Sequence, residues 1–338
     1  MLIGKLGFHF APYAHAVALT LLVDRTTWRA HVEVVATTPG LIPVVKGNGY
    51  GFGRPRLLDE CRRLGLTDIA VGTVHELADV GPDQRAIVLT PCVGPADAAR
   101  LAAAIAAGGL VVPTIGHRRD LVTLDGAGHR GPVVVKLRTS MQRYGTTPAD
   151  TDELLGALAA AGRPIEAFAA HFPLDGPSAE HASALATWLP HLPVGATLHV
   201  SHIDGDDLAL LAGHHRFRPR IGTALWHGAH KAGLHLRADV VDVHPVAAGE
   251  RIGYRQVTVP GDGHVVLVTA GTGHGVHPLP DGRSPFHFAR TRLALVEPPH
   301  MHTSMLHVPR DHPCPAPGDH VDVQRPLTQT WVDVVEER

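Results

Sequence analysis

Residues 41–73 read LIPVVKGNGYGFGRPRLLDECRRLGLTDIAVGT and contain the unit from which the fold is built. The apolar run Leu41–Lys46 ends in a glycine-rich loop, and the segment Pro55–Leu64 then has apolar residues at helical spacing. A second apolar run, Asp68–Thr73, follows. This order of strand, helix and strand indicates parallel strands connected by helices.

The same alternation continues to about residue 222. Further apolar runs occupy Ala86–Pro91, Leu110–Ile115, Pro132–Leu137, Ile165–Phe172, Ala196–Ser201 and Phe217–Gly222. Helical spacing recurs in Pro95–Ala107, Pro148–Ala161 and Ala179–Trp188. Eight strands in this span favour a closed (β/α)8 TIM-like barrel. A doubly wound open sheet is the alternative, but no GxGxxG follows the first strand.

Beyond about Gly233 the helical spacing gives way to short β-rich runs separated by Gly, Pro and Asp turns. These runs are Ala238–Val243, Arg255–Val259, Val265–Thr269, Arg292–Val296 and His320–Val323. The sequence therefore predicts an α/β barrel over residues 1–235 and a C-terminal all-β domain over 236–338. Upstream, Leu21–Asp24 is predicted to be a strand that joins the β domain, and Thr26 the start of a helix.

Composition narrows the class of protein. The chain has 338 residues, 44% of them hydrophobic, and a net charge of −2, which gives no electrostatic case for nucleic acid or an anionic membrane. Three widely spaced cysteines argue against a disulfide framework and predict a cytoplasmic protein. The 26 histidines include no HExxH and no zinc-type spacing, so no metal site is predicted.

Lys46 is the first candidate for chemistry, because functional residues of such barrels lie where strands end. A lysine after a strand is usually a surface residue. Here glycines at 47, 49, 51 and 53 allow a ligand close to the backbone, and Tyr50 offers a hydroxyl. A confined lysine of lowered pKa can form a Schiff base with an aldehyde.

This loop, VVKGNGYGFG, resembles the VVKANAYGHG motif of the alanine racemase family, and the resemblance extends from about Leu21 almost to the C-terminus. It implies a barrel followed by a β domain, with pyridoxal 5'-phosphate as the cofactor. By the same resemblance, Lys46 is the lysine that binds this cofactor covalently, and Tyr50 contacts its phosphate.

The segment KLRTSMQRYG, residues 136–145, is similar to the family's KxDTGMxRLG. The match implies that Arg143 binds the substrate carboxylate, a task suited to a bidentate guanidinium. Lys136 falls where many family members carry a carbamylated lysine that orients this arginine. Arg138 replaces the aspartate of the motif, a charge reversal that leaves the identity of the substrate open.

The ends of the sixth and seventh strands supply further matches. The segment AHF at 170–172 resembles THFA and implies that His171 lies near the cofactor ring. The segment HVSHI at 199–203 resembles the stretch that supplies a phosphate-binding serine. Ile203 takes the place of that serine, so Ser201 or His202 is predicted to substitute for it.

At the eighth strand, RIGTALW at 220–226 resembles the family's arginine followed by a glycine-containing turn. The resemblance implies that Arg220 meets the pyridine nitrogen, while Gly222 and Thr223 offer the phosphate a backbone amide and a hydroxyl. Decarboxylases of this fold place a carboxylate at that nitrogen. Arg220 therefore favours a racemase.

The β domain contributes the second base. GERIGY at 249–254 resembles the segment that carries the family's catalytic tyrosine, which implies that role for Tyr254. HMHTSM at 300–305 resembles CMDxxM and implies that Met301 lies on the substrate side. Thr272 and His302 depart from the family pattern, and no tyrosine follows Tyr254 to contact the phosphate.

Together these residues predict a PLP-dependent amino-acid racemase with Lys46 and Tyr254 as its two bases. Because Tyr254 lies in the second domain and the other site residues in the first, a homodimer with shared sites is predicted, as the family implies. Two alternatives stay open. One is an epimerase, decarboxylase or lyase acting on a larger or polar amino acid; the other is a non-catalytic PLP-binding protein.

Overall fold

The computed structural model describes residues 17–211, 213, 215–228 and 233–338. They form two compact units, one made of the described residues 26–228 and the other of 17–25 together with 233–338. The first strand, β1 (Leu19–Val23), pairs antiparallel with residues 234–238 of the second unit. Helix α1 (Arg25–Ala36) follows, so the predicted strand and helix start are confirmed to within two residues.

The first unit contains the predicted parallel strands. They are β2 (Ile42–Pro43), β3 (Asp68–Val71), β4 (Arg85–Val88), β5 (Leu110–Val112), β6 (Thr114–Ile115), β7 (Val133–Lys136), β8 (Ile165–Ala169), β9 (Thr197–Val200) and β10 (Arg216–Ile221). Strands β5 and β6 are two halves of one predicted strand, interrupted at Pro113, whose nitrogen has no hydrogen to donate. Strand β10 pairs with β2, and a bridge between Val44 and Ala70 joins β2 to β3, so the ring of strands closes. The barrel prediction is confirmed.

Helices alternate with these strands as the spacing predicts. They are α2 (Arg54–Arg63), α3 (Pro95–Ala106), α4 (Asp120–Gly126), α5 (Pro148–Ala160), α6 (Ser178–Ala186), α7 (Gly205–Leu210) and α8 (Thr223–Trp226). A proline stands in the first turn of α2, α3 and α5, where its missing N–H costs nothing. Thr147 caps α5 by accepting a hydrogen bond from the Asp150 amide. Two short 3-10 segments, Gly49–Gly51 and Val74–Asp79, follow β2 and β3.

The strands of the second unit pair antiparallel, apart from one parallel pair that β1 forms with residues 334–337. Besides β1 it holds β11 (Leu234–Val246), β12 (Arg251–Ile252), β13 (Val257–Thr258), β14 (Gly263–Val268), β15 (Phe286–Phe288), β16 (Thr291–Arg292), β17 (Ala294–Leu295), β18 (Ser304–Pro309), β19 (His320–Val323) and β20 (Val334–Glu337). The long β11 pairs with β1, β14 and β19. Strands β12 and β13 form a hairpin whose turn contains Tyr254. Among the described residues, no helix is long and apolar enough to span a membrane.

Candidate active site

The loop after β2 has an unusual backbone. Gly47, Gly49, Gly51 and Gly53 all have positive φ angles, and so does Tyr50, with φ 55°. A non-glycine residue in this region is strained, and such strain concentrates at ligand sites. The glycines that the sequence singled out are therefore required by the loop, which bends sharply directly after Lys46.

A carboxylate from the next strand end holds this loop. Glu76 accepts a hydrogen bond from the Gly47 amide at 2.8 Å and another from the Gly72 amide at 2.6 Å. Arg54 donates to the Gly47 carbonyl and pairs with Asp79. These bonds fix the backbone next to Lys46. Glu76 was not predicted from the sequence, because it lies 29 residues from Gly47 and belongs to no motif.

Tyr50 and Gly222, both expected to contact a phosphate, lie together. A Cβ atom placed on Gly222 would stand 2.1 Å from the Tyr50 hydroxyl, so only glycine fits there. The His227 ring hydrogen-bonds the Tyr50 carbonyl at 2.7 Å and stabilises the strained residue. Thr223, at the start of α8, is exposed.

Two basic side chains are buried in the barrel mouth, the end of the barrel where the strands finish and the loops that follow them begin. Arg220 donates from Nη2 to the Ala170 carbonyl at 2.5 Å, while its Nε has no hydrogen-bond partner. Burial lowers the pKa of Arg220 to about 10, which leaves the guanidinium charged at neutral pH. Lys136 is also buried, and burial together with Arg220 and Arg143 holds its pKa well below the ordinary lysine value.

Lys46 and Arg143 lie at the same end of the barrel and are accessible. Partial burial lowers the pKa of Lys46, and the charges of Arg143 and Arg220 lower it further against an opposing contribution from Glu76. A lysine of lowered pKa has more neutral amine available for attack on a carbonyl carbon. Arg143 donates to the Tyr144 hydroxyl at 3.0 Å, with its guanidinium 5.0 Å from the centre of that ring.

His171 is a neutral imidazole in this arrangement. Burial, and then the charges of Arg220 and Lys136, lower its pKa to about 2. The hydroxyl of Thr139 donates to its carbonyl at 2.6 Å and so ties the arginine loop to the end of β8. The His202 ring stands edge-on to the His171 ring, with the two centroids 4.9 Å apart. The backbone of His202 has a positive φ angle of 65°. The adjacent Ser201 is buried.

The charge balance of the mouth decides what it can hold. Within the described residues, no ion pair joins Lys46, Lys136, Arg143 or Arg220 to a carboxylate. Buried charges are normally paired, so a cluster of basic side chains that form no ion pair among the described residues fits an anionic ligand. Its residues fit a phosphate group, a carboxylate and a carbonyl carbon within reach of Lys46.

Tyr254 and Met301 belong to the other compact unit. Tyr254 lies at the tip of the β12–β13 hairpin, 86% exposed, with its ring centroid 4.5 Å from that of His300. Met301, the next residue along from His300, is 66% exposed. Both predicted site residues are thus accessible to a ligand.

The opposite end of the barrel has a cavity of about 580 Å³, lined by Arg85, Glu166, Thr197, His199, Arg216, Phe217 and Arg218. Its charges are largely paired, since Arg85 contacts both Asp68 and Glu166, and Arg218 contacts Asp68. Active sites of (β/α)8 barrels lie at the carboxyl ends of the strands, so this cavity belongs to the scaffold. In the part of the chain that the structure describes, no group of three or more His, Cys, Asp or Glu is placed to hold a metal ion.

The sequence of the chain is similar to those of known proteins. Residues 23–228 match the sequence model described as alanine racemase, N-terminal domain. The chain is 29% identical over 271 residues to the alanine racemase of Nitratidesulfovibrio vulgaris (strain DSM 19637 / Miyazaki F), covering 69% of each protein.

Solved structures extend the similarity to the fold of both units. The alanine racemase of Bartonella henselae with covalently bound pyridoxal phosphate matches with a TM-score of 0.72 and 17% identity, over 96% of this chain and 99% of that one. The biosynthetic alanine racemase of Pseudomonas aeruginosa matches with a TM-score of 0.70 and 19% identity, over 96% and 99% of the two chains.

Proposed function

The chain belongs to the alanine racemase family, and we propose that it is a pyridoxal-phosphate-dependent racemase that interconverts the L and D forms of an amino acid. The observation that carries the proposal is the cluster of Lys46, Lys136, Arg143 and Arg220, which has no ion-pair partner among the described residues. A dianionic phosphate and a substrate carboxylate would neutralise this cluster.

Different residues of the barrel mouth would bind different parts of the cofactor. Lys46 would bind it covalently, Tyr50, Ser201, Gly222 and Thr223 would surround its phosphate, His171 would lie along its ring, and Arg220 would face its ring nitrogen. When bound, pyridoxal phosphate supplies an aldehyde carbon for the amine and a ring that accepts the electron pair left at Cα. Arg220 keeps its proton at neutral pH and so would leave the ring nitrogen of the bound cofactor unprotonated.

Racemisation requires removal of the Cα proton from one face and its return to the other, and therefore two bases. We assign Lys46 to one face, because its lowered pKa leaves the ε-amine able to take a proton. We assign Tyr254 to the other, because it resembles the family's catalytic tyrosine and its ring is accessible. Arg143 would hold the substrate carboxylate between them, with Met301 on the substrate side.

Lys136 is suited to carbamylation. A lysine reacts with carbon dioxide as the neutral amine, forming a carbamate and releasing a proton, and the low pKa of Lys136 favours that neutral form. The product would be an anion next to Arg143 and Arg220, which at present lower the pKa of this lysine by repulsion. The carbamate would orient Arg143 toward the substrate.

We further propose a cytoplasmic homodimer in which Tyr254 of one subunit completes the barrel site of the other. A two-fold pair would bury the site without a separate lid. Mixing Lys46→Ala and Tyr254→Phe proteins under conditions of subunit exchange should restore about a quarter of wild-type activity, since half of the dimers regain one of two sites. Verified exchange without recovered activity would place each site within one chain.

The substrate is best found by a screen of L- and D-amino acids for Cα proton exchange in heavy water, followed by chiral analysis of the products. We expect exchange and inversion for at least one pair, and neither in Lys46→Ala protein. Exchange accompanied by loss of carbon dioxide would instead indicate a decarboxylase. A cofactor-loaded protein that exchanges no amino acid would indicate a non-catalytic binding protein.

A further inference from the structure

The hairpin that carries Tyr254 is fastened to a buried carboxylate. Glu297 follows β17, and its side chain is only 2% exposed. Its Oε1 accepts a hydrogen bond from the Tyr254 amide at 2.8 Å, and its Oε2 accepts one from the Arg255 amide at 2.9 Å. The two oxygens therefore hold the backbone on both sides of the Tyr254 Cα atom.

The same carboxylate holds the ring on which Tyr254 rests. His300 contacts Glu297 Oε1 through Nε2 at 2.6 Å, and its ring centroid is 4.5 Å from that of Tyr254 at an angle of 47°. The Thr272 amide donates to the His300 carbonyl at 2.8 Å. The position of the phenol is thus connected to Glu297 along two routes, the hairpin backbone and the imidazole.

Gly253 makes room for this arrangement. A Cβ atom at residue 253 would stand 2.3 Å from Glu297 Oε1, and the backbone there has a φ of +74°. Burial raises the pKa of Glu297, but the bonds from His300 and from the Arg255 and Tyr254 amides more than compensate, so the net pKa lies below its usual value. The carboxylate is therefore ionised at neutral pH, when charge-assisted hydrogen bonds are strongest.

We propose that Glu297 is a positioning residue for Tyr254, fixing the phenol for proton transfer through the amides of residues 254 and 255 and through His300. This inference rests on the proposed function, in which Tyr254 is one of the two bases. It assigns a role to a residue that no sequence motif marks. Thr272 and His300, which stand in segments that depart from the family pattern, belong to the same hydrogen-bonded unit.

The test uses the fact that each base serves one face of Cα. In heavy water, the cofactor-loaded enzyme is given the L form and, separately, the D form of alanine or of the amino acid that exchanges fastest, and initial Cα exchange is measured. Glu297→Ala and Glu297→Gln should slow exchange of one enantiomer by roughly tenfold to a hundredfold, the cost of a misplaced catalytic group. Exchange of the other enantiomer, which depends on Lys46, should change less than twofold.

A second readout does not depend on activity. Backbone hydrogen exchange at residues 254 and 255 should quicken in Glu297→Ala, because both amides lose their acceptor. His300→Phe, which keeps a ring beneath the phenol, should retain more of the affected exchange than His300→Ala. Glu250→Gln is the matched control, an exposed glutamate of the same unit, and should alter neither measurement.

The outcomes separate the two proposals. If Tyr254→Phe leaves exchange of both enantiomers intact, the assignment of Tyr254 as a base is wrong. If Tyr254→Phe slows one enantiomer while both Glu297 variants slow neither, or slow both equally, the positioning role is wrong. Should Glu297→Ala fail to fold, the nearly isosteric Glu297→Gln and the His300 pair decide the matter.

Discussion

Charged side chains gather at both ends of the barrel strands, but their surroundings differ. At the base, the end of the barrel where the strands begin, Asp68 forms ion pairs with Arg85 at 2.8 Å and with Arg218 at 2.7 Å. At the mouth, Lys136 and Arg220 are buried, with no carboxylate partner among the described residues. A barrel that pairs its charges at one end is able to do so at the other.

Paired and unpaired buried charges have different effects on the stability of this protein. Ion pairs made within the chain contribute to the free energy of folding, whereas unpaired cations cost stability and are retained where a ligand supplies the counterion. The same division holds for backbone strain, since Tyr50 and His202, with positive φ angles, follow the carboxyl ends of β2 and β9. The charged residues at the base therefore stabilise the fold, and those at the mouth form the proposed ligand site.

The largest effect should come from Arg143 at the mouth. Arg143→Ala would remove the proposed partner of the substrate carboxylate, and we expect kcat/KM to fall about a thousandfold, as for a lost charge pair of about 4 kcal/mol. The free energy of unfolding should change by less than about 1 kcal/mol, because Arg143 is exposed. Steady-state kinetics and urea denaturation measure the two. A large loss of stability at unchanged kcat/KM would show that Arg143 stabilises the fold and does not bind the substrate.

The next effect concerns Asp68 at the base. Asp68→Ala would leave Arg85 and Arg218 without their shared partner, and we expect a loss of about 3 kcal/mol in the free energy of unfolding. The kcat/KM of the folded enzyme should stay within about twofold of wild type, since the base touches no reacting group.

An exposed pair provides the control for Asp68. Arg118 and Glu153 lie 3.4 Å apart on the surface, and Glu153→Gln should cost less than about 0.5 kcal/mol. If the two substitutions had equal effects in chemical denaturation, the base network would not contribute the stability assigned to it.

The smallest effect concerns His199, a fully buried imidazole with neither ring nitrogen hydrogen-bonded. Burial, and then Arg220 and Arg218, lower its pKa from 6.5 to about 3. The unfolded chain therefore binds a proton below pH 6.5 that the folded chain excludes, and stability falls as the pH decreases from 6.5 toward 3. From these two pKa values, the loss at pH 5 amounts to about 2 kcal/mol.

His199→Leu should remove that part of the pH dependence, because leucine cannot take up a proton. Unfolding free energies of both proteins, measured in denaturant between pH 5 and pH 8, give the comparison. Parallel pH profiles would show that folding does not lower the pKa of His199.

Much of the fold could be predicted because fully buried parallel strands are continuous apolar runs. All four residues of β7 are buried, for example, and its predicted range Pro132–Leu137 extends beyond Val133–Lys136 by one residue at each end. The two-residue strand β12 is too short for any alternation to show, whereas β17 falls within the predicted run Arg292–Val296. Strand β18 was missed because its first residues were assigned to the HMHTSM motif.

Parts of the candidate site could be predicted where a short stretch of sequence determines the local structure. The alternating glycines after Lys46 marked this loop in the sequence as one that a ligand can approach closely, and in the structure all four have positive φ angles. Glu76 and Glu297 could not be found in this way. Glu76 accepts from the Gly47 amide 29 residues away, and Glu297 accepts from the amides of residues 254 and 255, which are 43 and 42 residues away. Such contacts arise only when the chain folds.

Covalent binding of pyridoxal phosphate to Lys46 can be measured directly. The protein is loaded with pyridoxal 5'-phosphate, reduced with borohydride, digested, and its modified peptide located by mass spectrometry. We predict one label per chain on the peptide containing Lys46, and no label at that stoichiometry in Lys46→Ala protein. A label on another lysine, or full labelling of Lys46→Ala, would contradict the assignment.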